Sequence, residues 1–207
     1  MLYDATCDTP KYRKYLKKLD DFIMFNKAIN PTDEFLKLFK ESIDNIQNAL
    51  DKKTFDTFMD YIKIEHVSQI MSIFQLSDKI ISKDNLFKIT LAKGGITLMA
   101  GMYIMAPKTG KKEIKAIYEL GGVLQFFEDI YDIEEDLKNG IKTMSNQKMI
   151  DYQDIKKLYF GTVNNLIEKC NLDPNRSNLT LDVLCFAAGR LIEKRFKAYE
   201  IRNSKYI

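Results

Sequence analysis

The chain has 207 residues, enough for one domain with a substantial core. Its 32 basic and 29 acidic residues nearly cancel to a net charge of +3, and the lysines are scattered, which speaks against a nucleic-acid partner. Hydrophobic residues make up 45% of the chain, yet the longest uncharged run, residues 94–107, is shorter than the ~20 residues a membrane helix needs. The three cysteines, Cys7, Cys170 and Cys185, show no ligand spacing and read as reduced thiols. No apolar leader-like stretch follows Met1, and the expected location is cytoplasmic.

Four prolines and nine glycines interrupt the sequence and alternating patterns are scarce, so an all-α, single-domain bundle over residues 1–207 is expected. An amphipathic helix is predicted over residues 8–27, ending before Asn30-Pro31. Thr32 and Asp33 cap a second helix to about residue 50. A third covers residues 53–76 and holds the only histidine, His66, expected to be structural. Ser82 caps a long helix to Met105, stopped by Pro107 and Gly110. Residues 111–139 form the next, ended by Gly140. Helices over 152–170 and 178–203 complete the set, separated by the turn at 171–174. The pairs Gly94-Gly95 and Gly121-Gly122 fall inside predicted helices, where each glycine costs ~1 kcal/mol against alanine. Close helix packing, a kink, or room for a ligand beside Lys93 would each account for them.

The segment Glu128 to Asp136 (EDIYDIEED) carries six carboxylates on a helix otherwise rich in apolar residues. On a continuous helix Glu128, Asp132 and Asp136 fall four apart and stack along one side. Like charges so spaced repel, which points to a cation between them, and oxygen-only ligands suit Mg²⁺ above all. Asp4 and Asp8 form a second acidic pair with the same spacing, followed by Arg13 and Lys14. If the two acidic segments lie on facing helices, they could hold two or three Mg²⁺ ions and, with Arg13, Lys14, Lys93 and Lys142, bind a diphosphate. Neutralising a departing diphosphate lowers the barrier to breaking a carbon–oxygen bond.

These residues resemble the motifs of the class I isoprenoid synthases, an all-α superfamily. The run Gly122-Val-Leu-Gln125-Phe-Phe-Glu128-Asp129-Ile-Tyr-Asp132 is similar to the trans-prenyl synthase pattern G-x-x-x-Q-x-x-D-D-x-x-D, one residue shorter and with Glu128 for the first aspartate. Asp132-Ile-Glu-Glu135-Asp136 is similar to the D-x-x-E-D of squalene and phytoene synthases. Glu128, Asp132 and Asp136 have the spacing of the terpene-cyclase N-S-E triad. Asp4-Ala-Thr-Cys-Asp8 with Arg13-Lys14 is similar to D-D-x-x-D-x-x-x-x-R-R, Ala5 replacing the second aspartate. Lys93-Gly94 stands where prenyl synthases carry Lys-Thr. The whole chain resembles this superfamily, and the stretch from Leu91 to Thr143 most resembles small bacterial "class 1 isoprenoid biosynthesis enzyme" proteins.

The resemblance implies an isoprenoid-synthase-like helical bundle lacking its N-terminal helices, because members carry several helices before the first motif and here three residues precede Asp4. A fragment, a cavity closed by a partner chain, and a decayed scaffold are the three expectations this raises. It implies a Mg²⁺-dependent enzyme that ionises an allylic prenyl diphosphate, with prenyl transfer favoured over cyclisation. Asp4, Asp8 and Asp132 would be catalytic. Asp4, Asp8, Glu128, Asp129, Asp132 and Asp136 would ligate metal, and Arg13, Lys14, Lys93 and Lys142 would hold diphosphate. An aromatic chamber drawn from Phe74, Met99, Tyr103, Tyr118, Phe126 and Phe127 would shield the cation. The rival is a non-catalytic helical interaction protein with an exposed apolar patch. Peripheral membrane contact and a homodimer stay open.

Overall fold

Seven helices and one 3₁₀ turn form the regular structure of the computed structural model, which describes residues 10–25, 27, 34–76 and 80–169. No strand occurs among them, so the fold is all-α as expected. The helices are α1 (Pro10–Ile23), α2 (Glu34–Ala49), α3 (Lys52–Met71, prolonged by the 3₁₀ turn Ser72–Leu76), α4 (Lys83–Met105), α5 (Lys111–Tyr131), α6 (Ile133–Lys138) and α7 (Tyr152–Lys169). The helix predicted at 178–203, the turn at 171–174, the caps Thr32 and Asp33, and all three cysteines lie outside the described residues.

Local chemistry sets the boundaries. Asp51 caps α3 by accepting from the Thr54 backbone N–H at 3.1 Å, and Ser82 caps α4 by accepting from Asn85 N–H at 3.2 Å. Gly140 ends α6 in the left-handed region at φ 69°. There its N–H donates to the Leu137 carbonyl at 3.2 Å and Ile141 N–H donates to Asp136 at 2.8 Å, the paired bonds of a Schellman motif.

One boundary differs from expectation. The continuous helix predicted over residues 111–139 divides at Asp132, which sits at φ −95°, ψ 11° between α5 and α6. The Asp132 N–H still reaches the Glu128 carbonyl at 3.0 Å, so the chain turns without unravelling. The acidic row therefore does not run along one straight helix face.

Helices α3, α4 and α5 pack as successive neighbours, and α7 lies against α5. The main core joins α4, α5 and α7 through Leu86, Leu120, Phe126, Phe127, Ile155 and Tyr159, with Met144 from the loop before α7. Phe126 is fully buried, a contribution of ~2–3 kcal/mol for one side chain. Smaller clusters tie α1 to α2 through Leu19, Ile23 and Leu36, and α2 to α3 and α4 through Ile43, Phe58 and Ala100. His66 is buried, its Nε2 lying 2.7 Å from Asp20 Oδ1 of α1, so it ties two helices together.

Candidate functional site

The glycine pairs let α4 and α5 approach closely. A Cβ placed on Gly94 would strike the Gly121 backbone and come within 2.7 Å of Gln125 Cβ, and one on Gly121 would lie 2.8 Å from Leu98 Cβ. A Cβ on Gly95 would meet the Tyr118 ring at 2.6 Å. Close helix packing is thus what these glycines do. Its consequence is functional: with α4 and α5 this near, the polar side chains of each reach the other.

Asp129 on α5 is buried. Its Oδ1 accepts from Gln125 Nε2 at 3.1 Å and its Oδ2 from Thr90 Oγ1 of α4 at 3.2 Å. Burial pushes its carboxyl up to about 6, against the opposing pull of the Gln125 bond, the Lys93 charge and the Thr90 bond. Asp129, Lys93 and Asp136 share a cavity of about 30 Å³ with Ser72, Gln75, Leu76, Ile141 and Thr143. A space of that size holds a water or a bare ion and is too small for a diphosphate.

The wall opposite α5 is fastened by a reciprocal pair. Gln75 Nε2 donates to the Lys142 carbonyl at 2.9 Å and Lys142 N–H donates to the Gln75 carbonyl at 3.0 Å. This clamp holds the loop after α6 against the 3₁₀ turn and so brings Asp136 and Thr143 to the cavity.

Two of the acids face inward, and their separation of seven residues, about two helical turns, puts them on one side. Asp129 and Asp136, seven residues apart, line the cavity, whereas Glu128 is half-buried and Asp132, Glu134 and Glu135 are exposed. The expected stack of Glu128, Asp132 and Asp136 is thus replaced by a pair. Among the described residues no group of three or more carboxylate, histidine or cysteine side chains is placed to hold a metal. Asp4 and Asp8 lie outside the described residues, as do the side chains of Arg13 and Lys14 on α1. Of the aromatic candidates, Phe126 and Phe127 belong to the main core, Tyr103 packs on Tyr61, and Phe74 faces outward.

The motifs did not reveal the contribution of α3. In its first half Phe58 is buried and Asp56 and Asp60 are exposed. In its second half the pattern inverts: His66, Ser68, Gln69 and, in the 3₁₀ turn, Ser72 and Gln75 are buried, while Ile64, Val67, Met71 and Phe74 are exposed. Glu65 also turns inward, accepting from Gln69 Nε2 at 2.6 Å and from Thr97 Oγ1 of α4 at 2.7 Å. Burial raises its carboxyl above the usual range, opposed by the Gln69, Thr97 and Ser68 hydrogen bonds and by the Lys93 charge. The helical spacing of Glu65, Gln69 and Ser72 is the signal that could have found this face.

No family model, curated protein or solved structure matches the chain. The described helices include none long and apolar enough to cross a membrane.

Proposed function

We propose that the protein is a Mg²⁺-dependent class I isoprenoid synthase that ionises an allylic prenyl diphosphate, with prenyl transfer favoured over cyclisation. The observation that carries this reading is the shared cavity of Lys93, Asp129 and Asp136 in a helical interior whose facing helix, α3, turns its polar side inward. The donor set fits Mg²⁺. Two carboxylates converge with no nitrogen or sulfur ligand, and Mg²⁺ is commonly held by one or two carboxylates, its other positions taken by water and phosphate oxygens. When bound, the ion supplies positive charge that neutralises a departing diphosphate.

In this reading Asp129 and Asp136 are the inward metal ligands, joined by Asp4 and Asp8, with Glu128 and Asp132 at the outer edge. Because the cavity admits only the ion, the diphosphate would bind outside it, with Lys93 reaching one of its oxygens as a point charge and Arg13, Lys14 and Lys142 completing the anion-binding set. Gln125 and Thr90 fix the rotamer of Asp129, which keeps its oxygens directed at the cavity. The resemblance of Gln125-x-x-Glu128-Asp129-x-x-Asp132 to the prenyl synthase pattern is what favours transfer.

Incubation with geranyl, farnesyl and geranylgeranyl diphosphates in Mg²⁺ is expected to release pyrophosphate, and Asp136→Asn or Lys93→Ala to lower the rate about a hundredfold or more. Absence of release from all three substrates sinks the reading. A non-catalytic interaction protein is the second reading, favoured by the exposed row Ile64, Val67, Met71 and Phe74. It is tested by sedimentation: a monomer at all accessible concentrations, with no partner retained, tells against it.

A further inference from the structure

Asp136 sits on α6, a helix of six residues none of which is buried, so apolar packing does not fix its place. The loop that follows does. Ile141 N–H donates to the Asp136 carbonyl at 2.8 Å, and the Ile141 carbonyl accepts from Asn146 Nδ2 at 2.7 Å. The N–H and the carbonyl of Lys142 are both taken by Gln75, which is buried in the 3₁₀ turn. Thr143 N–H donates to Asn146 Oδ1 at 3.0 Å, and Asn146 N–H donates back to Thr143 Oγ1 at 3.2 Å. Five successive backbone groups, from Ile141 N–H to Thr143 N–H, are thus bonded within the protein, in a loop, where such groups commonly turn to water. Gln75, Asp136, Ile141 and Thr143 all line the 30 Å³ cavity, and Asp129 on its α5 side is held in turn by Gln125 and Thr90. Walls that cannot move discriminate ions by size. Mg²⁺ bonds oxygen at about 2.0–2.1 Å, Ca²⁺ at about 2.3–2.6 Å with more ligands, and the choice between them turns on cavity size, ligand number and flexibility.

We propose that Gln75 and Asn146 are positioning residues that set cation selectivity, holding the Asp136 side of the cavity at a width that takes Mg²⁺ and rejects Ca²⁺. The inference rests on the metal site at Asp129 and Asp136 proposed above; it does not need the prenyl substrate.

Gln75→Met keeps the side-chain length and removes the amide. Calorimetric titration of the full chain with MgCl₂ and with CaCl₂ is expected to show Mg²⁺ bound about tenfold or more tightly than Ca²⁺, with both lost in Asp136→Asn. In Gln75→Met, Mg²⁺ binding should weaken about tenfold and Ca²⁺ binding by less than about twofold, so that selectivity largely disappears. Gln47→Met, at an exposed position of α2, should leave both unchanged. A merely structural role for Gln75 would weaken both ions alike, so an unchanged ratio overturns the proposal, as does a wild type that binds Ca²⁺ as well as Mg²⁺. A wild type that binds neither ion defeats the metal site and the proposal with it. Selectivity lost in Gln75→Met, in a protein that releases no pyrophosphate from any prenyl diphosphate, upholds the proposal and defeats only the synthase reading. Should Gln75→Met fail to fold, Asn146→Ser, which removes the amide that holds Ile141 and Thr143, supplies the same readouts.

Discussion

Asp129 shows how a single buried group ties stability to pH. Its carboxyl, raised from 3.8 to about 6, binds a proton more tightly in the folded chain than in the unfolded one. Between about pH 4 and pH 6 the native state therefore holds more protons, and this group's contribution to stability falls as pH rises through that window. Above it the ionised, buried carboxylate costs on the order of 3 kcal/mol, the free-energy equivalent of about two pKa units. Asp129→Asn is expected to remove the penalty. Its urea midpoint should match wild type near pH 4 and equal or exceed it near pH 7.5, because an amide at position 129 can still bond Gln125 and Thr90. A variant clearly less stable near pH 7.5 would mean that the native carboxylate is already ionised and compensated.

At the scale of helices, what the sequence made legible was boundaries. Ser82 acts through its hydroxyl, which accepts from Asn85 N–H, and Gly140 through its left-handed backbone, and the start of α4 and the end of α6 fall where those residues put them. The division at Asp132 was not legible, because the i to i+4 spacing of Glu128, Asp132 and Asp136 is satisfied equally by a straight helix and by two short ones. Nor was the inversion of α3. The run of residues 61–76 has a polar side and an apolar side, and periodicity alone does not say which turns inward. The polar side turns toward partners on other elements: His66 meets Asp20, Glu65 meets Thr97 and Gln75 meets the Lys142 carbonyl. The glycines offered three explanations, and the contact distances choose one. Gly94→Ala or Gly121→Ala should each cost about 3 kcal/mol or more, since the added methyl meets backbone that has no room to move. Gly101→Ala, on the same helix with nothing within 4 Å, should instead stabilise by about 0.5–1 kcal/mol. Denaturant unfolding of the three variants checks the contrast, and equal effects would refute the packing account.

Across the described residues, polar groups of α3, α4 and α5 line one interior cavity and apolar groups in the second half of α3 face out. Leu86, Phe126 and Ile155 hold α4, α5 and α7 together away from the cavity. Substitutions on the outward row should then be nearly silent: Val67→Lys and Met71→Lys, at 45% exposure each, are expected to change stability by no more than about 0.5 kcal/mol, against about 3–5 kcal/mol for Phe58→Ala in the same helix. The cavity makes the complementary prediction. If Asp129 and Asp136 ligate Mg²⁺, the ion binds the folded chain and not the unfolded one, and stability rises with concentration by mass action, about 2.7 kcal/mol at a hundred times Kd. Because the ion competes with protons for Asp129, the gain should be larger near pH 7.5 than near pH 5, opposite in sign to the trend of the metal-free protein. Thermal unfolding with and without Mg²⁺ at the two pH values measures this directly. In Asp129→Asn and Asp136→Asn the gain should vanish, and a Mg²⁺ effect that survives both substitutions, or is the same at both pH values, would place the ion elsewhere on the chain.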